Sequence, residues 1–310
     1  MTGDPLNLAQ IAFAALGDMS LVCALGALLL DGWLCHERAF LASSPSQRAW
    51  RRASRATFLA AILLAFCHFV SLWLQAAAMS GSPIAEAGAS LWLVGTATHA
   101  GIGWSVALAG SVLLASAAAR GPMTSSRMMF ALVGALIAAA GKSAIGHAAD
   151  AGAFSFAEAV QTVHLLATGV WGGLVIAGAL AVLPALDAPL ARASLLRIVS
   201  GMSRAATIAI GFVIATGVYN AWRGIGGSAS VLTTSTWGHA LVVKIVLVMG
   251  ALAIGSINRW RAMPKLQRSG STADAHAVIA LMRLEAVSMA GVFVAASVLS
   301  HSVPGMAMMG

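Results

Sequence analysis

KSAIGHAADAGAFSFAEAVQTVHLLATGVWGGLVIAGALAVL, residues 142–183, joins the end of one apolar stretch to the start of another through a short acidic loop. His147 stands at the first boundary. His164 lies inside the second stretch, with Trp171, Gly172 and Gly173 after it. His164 and Trp171 are seven residues apart, about two helical turns, so they share one helix face. An apolar segment gains no solvation from histidine, so two histidines near one membrane surface point to a site.

Working outward, the 310 residues are 59% hydrophobic and 9% charged, which describes a polytopic membrane protein and excludes an ordinary soluble domain. The 32 glycines suit helices packed closely in lipid, and the nine tryptophans supply interfacial aromatics. The net charge of +8 does not indicate nucleic acid, because the basic residues cluster at the ends of apolar segments. Cys23, Cys35 and Cys67 lie in or beside those segments, so no disulfide framework is expected. The opening residues, MTGDPLNLAQ, carry no basic leader, and the first segment is expected to remain as a span.

Eight apolar stretches approach or exceed the ~20 residues that cross a bilayer. They cover roughly 9–34, 55–79, 89–117, 127–148, 157–184, 199–222, 237–258 and 277–301. Each must satisfy its backbone within itself, so the expectation is an all-α membrane helix bundle of eight spans. It forms a single membrane domain over 1–310, with a four-helix half over 1–150 and a second over 157–304. Fifteen of the 18 Lys and Arg residues fall at alternate loops, which places those loops in the cytoplasm and both termini in the periplasm. THAGIGW in the third stretch and VHLLATGVW in the fifth suggest a weak internal repeat, whereas SAIGHA and STWGHA are read as coincidence.

On that orientation six of the eight histidines fall in the outer half. His147, His239 and His301 stand at outer segment ends, and His164 sits about two turns inside. His68 and His99 are expected deeper, at similar depths about 15 Å from the outer surface. His301, Met306, Met308 and Met309 close the chain together, with Met79 at the same surface. Imidazole with thioether suits copper, Cu(I) more than Cu(II), and suits magnesium or calcium poorly. Cys67 adjoins His68, although neighbouring helical residues point about 100° apart. Met202, Met249 and Met282 read as packing. Asp18, Lys142, Lys244 and Glu285 are ionisable residues inside segments, and Asp18 is expected to pair with Lys142 or Lys244. Asn220 is a polar group near a helix end that could line a path.

HLLATGVWGGL (164–174), TGVYNAWRGIG (216–226), TWGHALVVKIVLVMGALAIGSINR (236–259) and LSHSVPG (299–305) together resemble the bacterial copper resistance protein D (CopD/PcoD) family of inner-membrane proteins. The resemblance is sharpest over 157–304. This chain departs from the proline-rich ending of many relatives with a Met-rich tail. The resemblance implies a multi-pass inner-membrane protein of copper homeostasis that moves copper from periplasm to cytoplasm beside a periplasmic copper-binding partner. It implies roles for His164, Trp171, Asn220, Gly238 and Lys244.

The leading expectation is therefore a copper-handling membrane protein, not an enzyme, with no catalytic residues. His147, His164, His239, His301, Met306, Met308 and Met309 would capture the ion, and His68 and His99, with Cys67, would pass it inward. The sequence carries no nucleotide-binding loop. Two alternatives stand beside it. One is a redox protein holding haem b between His68 and His99. The other is a scaffold that binds copper without moving it.

Overall fold

The computed structural model describes residues 4–35, 44–119, 123–146 and 148–304. His147, Met306, Met308 and Met309 lie outside them. Among the described residues there is no strand. The long helices are α1 (Pro5–Leu34), α2 (Pro45–Ser80), α4 (His99–Ala118), α5 (Ser125–Ser143), α6 (Phe156–Ala177), α7 (Arg192–Ile225), α9 (Thr236–Ile257) and α11 (Thr272–Ser300). Shorter pieces are α3 (Gly88–Ala97), α8 (Val231–Thr234) and α10 (Met263–Ser269). Most starts carry a side-chain cap: Asp4, Ser44, Thr98, Thr124, Ser155, Ser235 and Ser271 each accept a backbone N–H of the first turn.

Seven helical stretches among the described residues are long and apolar enough to cross a membrane. The eighth expected span has become α5, bracketed by Arg127 and Lys142, whose charges dilute its apolar content. Its 19 residues are about 28 Å long, close to the hydrocarbon thickness. It belongs to the bundle through glycine. A Cβ on Gly110 would meet Ala138 N at 2.4 Å, and one on Gly141 would meet Ala107 N at 2.4 Å, so α4 and α5 touch backbone to backbone. The α1–α6 crossing is built the same way, with a Cβ on Gly173 falling 2.1 Å from Val22 O.

α1 is the most enclosed span and the one containing α9 the least. The core runs from Leu30 and Leu34 through Trp171, Leu174, Leu183 and Leu195 to Met289. A second cluster joins Leu21, Leu25 and Leu28 to Leu64 and Leu114. Large apolar side chains such as Ile208, Phe212, Val246 and Val287 point outward, as a surface bathed in lipid requires.

The third expected span is broken at Thr98, which is extended (φ −114°, ψ 146°) between α3 and α4. The same corner recurs at Ser235 (φ −115°, ψ 152°) between α8 and α9. Thr98 N bonds Val94 O and Ser235 N bonds Val231 O. Each hydroxyl accepts from the glycine three residues on, Gly101 at 3.0 Å and Gly238 at 2.9 Å. A Cβ on Gly101 would lie 1.9 Å from Val94 O, and one on Gly238 would lie 2.1 Å from Val231 O. The third stretch and the segment entering the seventh thus share one local corner. Its shared pattern is Val-x-Thr-x-Thr/Ser-x-x-Gly, at 94–101 and 231–238.

Candidate functional site

The polar residues of the spans gather around Asp18 on α1. Lys142 of α5 donates to Asp18 Oδ1, one of the two pairings the sequence allowed. Lys244 of α9 lies within electrostatic reach of both Asp18 and His164. Lys142 reaches His68, and both members of the Asp18–Lys142 pair reach Cys67. Asp18 thus pairs with Lys142 and lies near Lys244. Cys67 and His68 both border Gly17: a Cβ there would meet Cys67 Cβ at 3.5 Å and His68 Cδ2 at 4.0 Å.

His68 and His164 are buried, and each is held by a hydroxyl from the next helix. His68 Nδ1 lies 2.7 Å from Ser111 Oγ and 3.1 Å from Ala107 O, both on α4. His164 Nδ1 lies 2.9 Å from Thr216 Oγ1 on α7. The hydroxyl protons are already committed: Ser111 donates to Ala107 O at 2.7 Å and Thr216 to Phe212 O at 2.5 Å. With the hydroxyl protons on those carbonyls each histidine donates through Nδ1–H, and for His68 the Ala107 carbonyl, which only accepts, asks for the same tautomer. The lone pair of each neutral ring then sits on Nε2, the tautomer a metal ligand needs. One turn outward from His164, Asn220 Nδ2 donates to Gln161 Oε1 at 2.8 Å, adding a second polar bridge between α6 and α7. Trp104 packs against His68 with ring centroids 5.7 Å apart.

The outer histidines are differently placed. His239 is exposed, with Nε2 on Thr233 O at 2.9 Å. His301 is exposed, with Nδ1 on Ser297 O at 2.9 Å. His99 is a correction: it is exposed on the first turn of α4, because the break at Thr98 ends the deeper continuation that the apolar run suggested. Eight residues, or about 12 Å of helix, separate it from Ala107, which bonds His68. The two are therefore offset along the bundle rather than at the similar depths expected. Among the described residues no three His, Cys, Asp or Glu side chains converge as a metal-binding group.

Seven residues further along α6, Trp171 Nε1 donates to Glu285 Oε1 on α11 at 3.2 Å. Trp171 is therefore more than packing. It borders a cavity of about 380 Å³ between α6, α7, α9 and α11, together with Met202, Met282, Asn258 and Glu285. Sequence reasoning singled out neither the hydroxyls of Ser111 and Thr216 nor Asp31. Asp31 is fully buried on α1, within reach of Trp50, Ser54 and Arg127.

The model of the copper resistance protein D-like N-terminal domain matches residues 4–156, and that of copper resistance protein D matches 196–299. Copper resistance protein D of Pseudomonas syringae pv. tomato is 31% identical over 273 residues, covering 86% of this chain and 85% of that protein. This chain belongs to the copper resistance protein D family. Membership and the apolar helices make it a multi-pass protein of the bacterial inner membrane with a copper resistance function. No solved structure matches it.

Proposed function

We propose that this copper resistance protein D family member takes copper from the periplasmic side and moves it through the bundle towards the cytoplasm, with His68 and His164 as ligands inside the membrane. The observation that carries this reading is the pair of buried rings, each held at Nδ1 by a hydroxyl of the next helix, which leaves Nε2 of both histidines for a ligand. Asp18 offsets one lysine charge in the cluster, and an arriving cation draws on the same carboxylate.

The exposed His99, His239 and His301 stand at or near helix ends, where they suit first capture, with Met306, Met308 and Met309 beyond the described residues. A periplasmic copper-binding protein is the natural donor to such a surface. Inward movement of a cation is favoured by about 2.3 kcal/mol per charge for each 100 mV of membrane potential, so the reading needs no nucleotide.

The test is copper accumulation in cells expressing His68→Ala or His164→Ala at the normal level. Each should lower accumulation, and unchanged accumulation in both would overturn the reading. Flux into proteoliposomes separates movement from mere retention: a scaffold would hold copper and pass none.

A further inference from the structure

The cavity beyond Trp171 contains groups that the histidine cluster does not use. We propose that it is a second copper(I) site, bound by the thioethers of Met202 and Met282 and balanced by the Glu285 carboxylate. This inference rests on the copper-handling reading above and adds a station to it.

The ligand chemistry comes first. Met202 and Met282 are buried and line the cavity together with Glu285. Both thioether chains converge on the bare backbone of Gly178, where a Cβ would lie 3.4 Å from Met202 Sδ and 3.4 Å from Met282 Cε. Thioether sulfur is a soft donor that favours Cu(I), whereas leucine at the same positions would fill the same volume and offer nothing.

The charge comes second. Glu285 is 5% exposed and makes no ion pair among the described residues; its donor is the neutral indole of Trp171. Arg259 borders the same cavity but is turned to α7, with Nη1 on Ser203 O at 2.9 Å and Ser203 Oγ at 2.8 Å. A buried carboxyl group with no cation beside it can take a monovalent metal ion in place of its proton. Gly255 keeps the place open, since a Cβ there would stand 3.1 Å from Glu285 Oε1.

Two further observations point to a ligand. Asn258, 6% exposed, lines the cavity, and its Oδ1 is buried without a hydrogen-bond partner. The only π-helical segments among the described residues are Gly178–Val182 and Asn258–Ala262. One starts where the thioethers meet, and the other supplies Asn258 and Arg259 to the lining. An inserted residue of this kind re-aims side chains, and such segments collect at functional sites.

The experiment titrates the full-length protein in detergent with Cu(I), anaerobically and against a competing chelator. It compares the wild type with the Met202→Leu/Met282→Leu double variant, Glu285→Gln and His68→Ala/His164→Ala. The wild type should show two classes of site and sulfur scattering in its copper X-ray absorption spectrum. The Met double variant should weaken one class by about tenfold or more and lower that scattering, while the histidine-bound class stays. Glu285→Gln should weaken the same class. A Met double variant that keeps both its affinity and its sulfur scattering would overturn the proposal, as would a tightly bound lipid occupying the cavity in place of copper. Gly178→Ala crowds the thioethers without removing sulfur. It should weaken the same class, so the site remains testable if the leucine variant misfolds. Wild-type protein binding no Cu(I) would remove both readings. Normal binding by the Met variant beside lost accumulation in the histidine variants would remove this one alone.

Discussion

His164 of the histidine cluster and Trp171 of the cavity lie on the same helix, two turns apart, and the two regions solve opposite problems. Around His164 and His68 the ring Nδ1 atoms, the hydroxyls behind them and the Asp18–Lys142 pair all have partners, and helices meet through glycine backbones. Around Glu285 there is about 380 Å³ of space, an Asn258 oxygen without a partner and a carboxylate held by one indole N–H. The first region is assembled before anything arrives. The second leaves its polar groups less fully paired. A route for an ion benefits from both, since a fixed entry selects and a roomy, weakly satisfied interior lets the ion go.

The largest difference should appear when each region loses its carboxylate. Asp18→Asn leaves Lys142 in the bundle without its pair, which should cost about 3 kcal/mol. Glu285→Gln removes a charge that has no ionic partner and keeps an acceptor for Trp171, so it should cost under about 1 kcal/mol. Thermal unfolding of the two variants in one detergent checks this, and equal losses would erase the contrast. Next comes the crossing between the regions. Gly173→Ala drives a methyl into Val22 O and should cost about 1–3 kcal/mol. It should also disturb copper binding at both sites, because α6 carries His164 on one side of the contact and approaches the cavity on the other.

Most of the fold was legible, because lipid leaves few options. Long apolar runs had to be helices, and Asp18 had to find a cation. The break at Thr98 was harder to see. Its apolar neighbours read as one continuous span, and this placed His99 too deep. The signal was present in Val-x-Thr-x-Thr/Ser-x-x-Gly at 94–101 and 231–238, but a repeat that changes most of its side chains shows only once the backbone is known. Of the site, His164 and Trp171 on one face were readable from spacing alone. Ser111 and Thr216 were not, since a lone hydroxyl in an apolar helix usually bonds its own backbone and gives no hint of a second helix. Met202 and Met282 read as packing for a similar reason: neither sequence spacing nor period shows that both reach Gly178.

The hydroxyls give a sharper test of the preassembled region. Thr216→Val removes the hydroxyl that orients His164 and should weaken the histidine-bound copper by about tenfold, and Ser111→Ala, which leaves His68 the Ala107 carbonyl, should weaken it less. Neither should change the sulfur scattering assigned to the cavity. A shift in that scattering would mean that the two regions are one site.

The smallest expected effect concerns the two corners at the starts of α4 and α9. Thr98→Ala and Ser235→Ala each remove an N-cap and should cost about 1 kcal/mol. If the corners are equivalent, the two losses should agree and add in the double variant, because the caps serve different helices. The reason to measure them is what lies beside each one. His99 follows Thr98 directly, and His239 bonds Thr233 O on the segment before Ser235. If these exposed histidines capture copper first, fraying either corner should slow its entry and leave equilibrium binding in the buried regions unchanged. Slower flux at unchanged affinity would assign the corners to capture. Loss of affinity would show instead that they belong to the frame on which His68 and His164 are held.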